Sequence, residues 1–423
     1  MRYAGNGGVL TAALTTRRLV LIALVGLLAT AGAWVFHGEP FATSPTTLSL
    51  AVPQAYQAHY RGLADAFAAS NPGMTVEVSG HPAEGSHIPP SGLDVIVDYG
   101  GYLSTQRAHL RDLAPHLDAE PSLPKHDFYP PTLDLFTLDG QLRILPFTIE
   151  PFAMLYNKDL FDRYGVPYPR PGWDWAAFLE TAKALTHPED GVWGYGAAMN
   201  NGMETFNDAL QLVAQNGGRV FDDVAGARAT FTNPATVEAI QWYVDLIRLH
   251  RVAPLPQEVP HNREGFFEGH VAMVVDGPLR VGTFPQLRSM SVGIVGLPRG
   301  RSSAVGDSAI LGIGIPAGSV HPEQAWKLIV ALEQQMPPRS QMPVRRSMAE
   351  NAAYQVSVGP EVAALTRAAA NETPLFLFLR EVTQPARARA LSFFRQAVGK
   401  ALAGEMSVQD AMAWAQRQAD GGA

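Results

Sequence analysis

Cysteine is absent from all 423 residues. That absence removes disulfides, thiolate nucleophiles, cysteine-bound zinc and a lipid-modified N-terminal cysteine from consideration. Charged residues are also sparse, at 17%, while hydrophobic residues make up 47%. This balance buries a core and does not suit a disordered chain. A basic excess is missing too, since 32 Lys and Arg face 39 Asp and Glu for a net charge of −7. In the first 45 residues Arg2, Arg17 and Arg18 outweigh Glu39, so the remainder carries −9. Nucleic acid and anionic membranes both reward a basic face, and neither is the expected main partner.

Signatures of chemistry are equally scarce. There is no Gly-x-Ser-x-Gly elbow, phosphate loop or His-Glu-x-x-His, and the 12 histidines are scattered. His261 and His270 have no carboxylate set near them in sequence, so they read as loop residues and not as metal ligands. The stretch Gly312-Ile-Gly-Ile-Pro-Ala-Gly318 is spaced one residue too long for a dinucleotide fingerprint, and Pro316 interrupts the turn. Repeats and low-complexity tracts are also lacking. Paired carboxylates for glycoside hydrolysis have no fixed spacing, so the sequence neither shows nor excludes them.

One uncharged run stands out, Leu19 to Phe36, preceded by Arg17-Arg18. It is long for a signal core and barely long enough to cross a bilayer. Two small-x-small sites, at 29–31 and 31–33, suit a cleaved signal peptide over 1–36, and an uncleaved anchor is the competing reading. The arginines before the run and Glu39 after it put the rest of the chain outside the cytoplasm, in the periplasm or on the outer face of the membrane. Both the general route and the twin-arginine route fit the paired basic residues. Residues 37–46 read as a linker.

The exported part is expected to be α/β. Thr47–Val52 alternates as a strand, and Tyr56, Tyr60, Leu63 and Phe67 recur at helical spacing until Asn71-Pro72-Gly73. Met74–Val78 and Leu93–Val97 read as further strands of a largely parallel sheet. Asp174 and Asn233-Pro234 cap helices, Trp193–Gly196 reads as a turn, and Val271–Val275 as a strand. A helix follows Pro322, and the last 40 residues are helical, with Ser407 to Asp410 resembling a capping box. Glu150 is conspicuous, because it interrupts an otherwise apolar and aromatic run from Leu145 to Tyr156. A carboxylate there must be hydrogen-bonded, ion-paired or turned to a wet cleft, since burying it bare costs several kcal/mol.

Met154-Leu-Tyr-Asn-Lys-Asp-Leu-Phe161 opens a series of motifs, followed by Gly165, Pro167 and Trp173-Asp174. Asn216-Gly-Gly218, Phe231, Asn233-Pro234, Val237-Glu-Ala239, Phe267-x-Gly269-x-Val-Ala-Met273 and Asp276-Gly-Pro278 come next, then Pro298, Gly312–Pro316 and Ala325-Trp326. In this order the chain resembles the extracellular solute-binding proteins of ABC importers, specifically the sugar-binding family, over nearly all of 47–420. The resemblance implies a type II periplasmic-binding-protein fold: two discontinuous α/β lobes joined by hinge strands, with one lobe from 47–150 plus 305–345 and the other from 153–302 plus 350–423. It further implies a monomer without cofactor, metal or catalysis, which binds a small sugar-like solute in the interlobe cleft and delivers it to the membrane permease subunits.

Residue by residue, the resemblance carries ligand contacts onto Glu150, onto Asp98 and Tyr99 at a strand end, and onto Gln54 and Tyr56 in the first loop. It adds Glu204, Phe206 and Asn207, then Asp276 and Gly277. Arg280 and Arg345 could pair with an anionic group on the solute, and Gly306-Asp307 could offer contacts near a hinge crossing. Leu279 and Arg280 stand where many members of the family carry a tryptophan that stacks on a sugar ring, and Leu391 stands where maltose binders stack another, which argues against a maltodextrin. Two other classes share the exported, acidic composition. One is a membrane-anchored sensor of the same fold, and the other is an extracellular carbohydrate-active enzyme.

Overall fold

The computed structural model describes residues 45–421, apart from 82–91, 100–102, 105, 139, 198–202, 223–227, 256–261, 278–289, 304–307, 339–340, 360–361 and 364–384. The segment 19–36, with its expected signal or anchor, lies outside the described residues. Among the described residues no helix is long and apolar enough to cross a membrane.

The alternating start of the exported part forms β1 (Thr46–Pro53), and the helix Gln57–Ser70 buries Tyr60, Ala64 and Phe67 on one face. Asn71-Pro-Gly73 ends that helix, and Gly73 takes φ of 87°, a value that only glycine adopts without strain. The chain returns through β2 (Met74–His81) and β3 (Val95–Tyr99), each parallel to β1. A small hairpin of β4 (Thr137–Leu138) and β5 (Gln141–Leu142) leads to β6 (Leu145–Pro151).

After β6 the chain passes into a second sheet, built from β7 (Ala153–Asn157), β8 (Met273–Asp276) and β9 (Val292–Val295), with β7 central and antiparallel to both neighbours. It then returns as β10 (Ser308–Gly314), inserted antiparallel between β3 and β6, and ends the first sheet with β11 (Met342–Pro343). The six-stranded order is β11-β6-β10-β3-β1-β2. The Gly312 and Gly314 pair therefore belongs to a strand. A side chain at 312 would collide with Ile144, and one at 314 would press on Leu110 at 3.1 Å.

Two large cores follow from these two sheets. The first contains Leu50, Val97, Phe147, Ile310 and Trp326, from β1, β3, β6, β10 and the helix Pro322–Glu333. The second joins Phe161, Phe178, Phe231, Tyr243 and Phe394, most of them on helices that cover one face of β7–β9. Its helices include Lys158–Tyr164, Trp175–Ala184, Met203–Gln215, Pro234–Arg248, Pro385–Ala403 and Val408–Asp420. On β7, Met154 and Tyr156 face this large core, while Leu155 faces a smaller one with Trp193, Phe266 and Val271. A strand covered on both faces reads as continuously apolar, as this one does.

Local rules account for several helix starts. The Asn157, Asp174, Asn233 and Ser407 side chains accept N–H bonds from the first turns that follow them. Asn216-Gly-Gly218 is a helix stop. Asn216 Nδ2 donates to the Ala235 carbonyl at 2.8 Å, Gly217 takes φ of 77°, and Gly218 lies so close to Thr236 that a β-carbon would stand 2.8 Å from its nitrogen.

Two expectations need correction. Trp193–Gly196 is not a free turn, because Trp193 and Gly196 bridge in parallel to Val271 and Val274 and so extend the second sheet beside β8. The boundary at 350 is also too early. Tyr354 lies in the first core, with Val358 and Val362 packed against it, so the helix Ala352–Val358 belongs to the first lobe. The helix buries its apolar side where neighbours already exist. The chain is next described in the second lobe from Pro385.

Candidate functional site

Strand direction concentrates the candidate residues at one end of the first sheet. Strand β10 is antiparallel to both β3 and β6, so β1, β2, β3 and β6 all point the same way and end at one edge. That edge carries Pro53 paired with His81, then Asp98 and Tyr99, and finally Glu150 opposite Ala309. Open α/β sheets hold ligands at the carboxyl ends of their strands.

Glu150 is 2% exposed, although it is the last charged group before the chain crosses to the second lobe. Ala153 starts β7 and pairs with Asp276, itself 1% exposed, at the end of β8. Gly277 follows, and its N–H donates to Asp276 Oδ1 at 2.7 Å. A β-carbon on Gly277 would lie 2.7 Å from the Glu150 carboxyl carbon, so the Glu150 side chain rests directly on this glycine. The structure thus brings together Glu150, Asp276 and Gly277, three of the expected site residues, from both sides of the crossing.

Asp98, 4% exposed, accepts the Tyr99 N–H at 2.7 Å. Burial pushes its carboxyl above the usual carboxylate range, against the opposing pulls of His81 and the Tyr99 N–H. The His81 ring is itself hydrogen-bonded to the Val97 carbonyl at 3.1 Å. Tyr56 and Tyr99 are half-buried against the first core. Gln54 is exposed and donates to Gln57 at 3.2 Å, folding over Gly80 on β2.

Arg345 is engaged inside the first lobe and not at this edge. Its Nε donates to Asp127 at 2.9 Å, and its other nitrogens donate to the carbonyls of Glu333 at 3.1 Å and Ser122 at 3.2 Å. Burial pushes Asp127 upward, but the Ser347 hydroxyl and N–H and the Arg345 guanidinium outweigh it and hold the carboxyl below its usual range. Arg345 is therefore the hub of an internal network, in which Nε and both terminal nitrogens each already donate a hydrogen bond within the first lobe. Asn207 is half-buried on the helix Met203–Gln215. The side chains of Glu204 and Phe206, and all of Arg280, Gly306 and Asp307, lie outside the described residues.

Sequence reading missed a polar face on that same helix. Asp208, Gln211 and Gln215 recur at helical spacing and line a recess with Tyr195, Met154 and Val275 at the crossing end of β7 and β8. Tyr243 donates to Asp208 at 3.2 Å, and Trp175 Nε1 donates to Gln215 at 2.9 Å while stacking on Trp242 at 4.3 Å. Burial, with Asp208 nearby, holds the Tyr195 hydroxyl well above its ordinary range. Polar residues at i, i+3 and i+7 on an inward face were the available signal. Among the described residues no group of three His, Asp or Glu side chains could hold a metal ion.

Comparison with known proteins places this geometry in context. The sequence profile described as bacterial extracellular solute-binding protein matches residues 53–334. A binding protein of Brucella abortus is 28% identical over 200 residues, which is 45% of this chain and 46% of that protein. The match thus spans about half the length of the curated relative. Among solved structures, an ABC substrate-binding protein of Listeria monocytogenes in complex with cycloalternan has a TM-score of 0.73 at 19% identity, covering 89% of this chain and 98% of that one. An ABC transporter solute-binding protein of Thermotoga lettingae bound with α-D-tagatose gives 0.72 at 19%, covering 89% and 99%. One from Agrobacterium radiobacter in complex with ribitol gives 0.69 at 22%, covering 89% and 98%. At these identities the likeness shows the fold, that of type II periplasmic binding proteins.

Proposed function

The chain belongs to the bacterial extracellular solute-binding proteins, and on that premise we propose that it binds a small sugar or polyol reversibly between its lobes and delivers it to an ABC-transporter permease outside the cytoplasm. The observation that carries this reading is Glu150, a carboxylate buried at the crossing between two separately cored lobes and resting on the end of the second sheet. With Asp98 and Asp276 it supplies acceptors from both lobes, and a carboxylate accepts two neighbouring hydroxyl hydrogens well. Tyr99 and Tyr56 offer apolar faces to sugar C–H groups.

The mechanism is differential affinity. A solute touched by only one lobe stabilises nothing in particular. One touched by both favours the closed arrangement by the free energy of the added contacts. Structures of the same fold hold a ketose, an alditol and a cyclic oligosaccharide, which supports a hydroxylated ligand. Leu391, at the position of a stacking tryptophan in maltose binders, is packed in the second core, which favours a smaller guest than a maltodextrin.

Thermal-shift titration with D-tagatose, ribitol and maltose tests the reading. A ligand at 100 times its Kd stabilises by about 2.7 kcal/mol, so at least one probe raises the melting point saturably. Loss of a hydrogen bond to a charged group costs about 1.5–3 kcal/mol, so Glu150→Gln weakens that probe roughly 10- to 100-fold. A panel without any shift, or steady consumption of the probe in place of reversible binding, overturns the proposal.

A further inference from the structure

Glycine at 277 is not demanded by its backbone, since its φ lies outside the left-handed region that the other turn glycines occupy. It is demanded by space. A β-carbon there would lie 2.7 Å from Cδ and 2.9 Å from Cγ of Glu150, and would also collide with Oε1. Neither backbone can easily yield. Glu150 is fixed in β6 opposite Ala309 of β10, in the first sheet. Asp276 is fixed in β8 opposite Ala153 of β7, in the second sheet, and holds the Gly277 N–H. Only the Glu150 side chain or the spacing between the two sheets is left to move.

We infer that Gly277 is a positioning residue: its bare α-carbon, on the second lobe, is the seat that aims the Glu150 carboxylate of the first lobe at the bound solute. The role assigned to Glu150 rests on the solute-binding reading above, whereas the seat itself is a matter of packing. The chain then uses one glycine to couple the geometry of its crossing to the geometry of its principal hydroxyl acceptor. Any change in the spacing of the sheets at this point moves the carboxylate.

A double-mutant cycle with two readouts tests this. Gly277→Ala is made in the wild-type protein and in the Glu150→Ala background, where there is no carboxylate to displace. Without ligand, the substitution lowers the melting point by about 3 °C or more beside Glu150 and by less than about 1 °C in the Glu150→Ala background. Affinity for whichever of D-tagatose, ribitol or maltose binds the wild type falls about tenfold or more beside Glu150 and less than about twofold in the Glu150→Ala background. Equal losses in both backgrounds overturn the seat, as does failure of Gly277→Ala to fold in both. If no probe binds the wild type, the solute reading falls, and the melting-point cycle alone decides for or against the seat.

Discussion

In the first lobe, a six-stranded mixed sheet brings its candidate residues to one edge by strand direction alone, so Asp98, Tyr99 and Glu150 arrive together from separate segments of the chain. The second lobe has a three-stranded antiparallel sheet and depends on helices, including Pro385–Ala403 and Val408–Asp420, which follow only after the chain has returned to complete the first sheet. Its contributions at the crossing are a strand end, Asp276-Gly277, and the inward polar face of Asp208, Gln211 and Gln215. The first lobe therefore presents a built edge, and the second presents a surface whose position depends on its long-range packing. Damage to the second core should displace its half of the site, whereas damage deep in the first lobe should spare the edge.

The largest expected effect sharpens this comparison from the second lobe. Phe394 is fully buried and packs on Phe231 at 5.2 Å, so Phe394→Ala costs about 3–5 kcal/mol. The loss is expected in hydrogen exchange over 154–297 and 385–420 before it reaches β1–β3. Equal loss of protection in both lobes would break the distinction, since it would mean that they unfold as one unit.

Arg345→Ala is the counterpart in the first lobe. Removing one partner of a nearly buried pair costs about 3 kcal/mol, and here it also strips Asp127, Ser122 and Glu333 of a shared donor. Chemical denaturation should show the loss, while affinity for a bound solute changes less than about twofold. A large loss of affinity at unchanged stability would return Arg345 to the site.

The smallest effect is a pH dependence peculiar to the first lobe. Glu333 is fully buried, and desolvation raises its carboxyl well above the usual range despite the attraction of Arg345 and with further repulsion from Asp127. One carboxyl oxygen of Glu333 has no hydrogen-bond partner, and neither does the buried hydroxyl of Tyr60. Native Glu333 keeps its proton where the unfolded chain has lost it, so stability from this group is full below about pH 4 and falls as pH rises, by at most about 1.4 kcal/mol per unit. Glu333→Gln should flatten that slope above about pH 5. An unchanged slope would show that some other group carries it.

How far these differences were legible depends on the range of the forces involved. Strand β1, its following helix and β2 were readable because their apolar periods of 2 and 3.6 are local. Capping by Asp174, Asn233 and Ser407 was readable for the same reason. Trp193–Gly196 was not, since its glycines signal a turn while its partners, Val271 and Val274, lie far along the chain. Glu150 betrayed itself as a carboxylate in an apolar run. Arg345 did not, because the Asp127 that captures it is 218 residues distant and nothing near either residue announces the pairing. Gly277 was legible as part of a motif, but its service to Glu150 depends on a contact between two sheets that only the folded chain creates.

Small-angle scattering with and without a saturating probe from the thermal-shift panel tests the two-lobed account most directly. The wild-type radius of gyration should fall on saturation as the lobes close, and Glu150→Gln should need a correspondingly higher probe concentration for the same fall. A radius that stays constant while the probe is bound would contradict closure between the lobes and, with it, the role given to the crossing at Glu150.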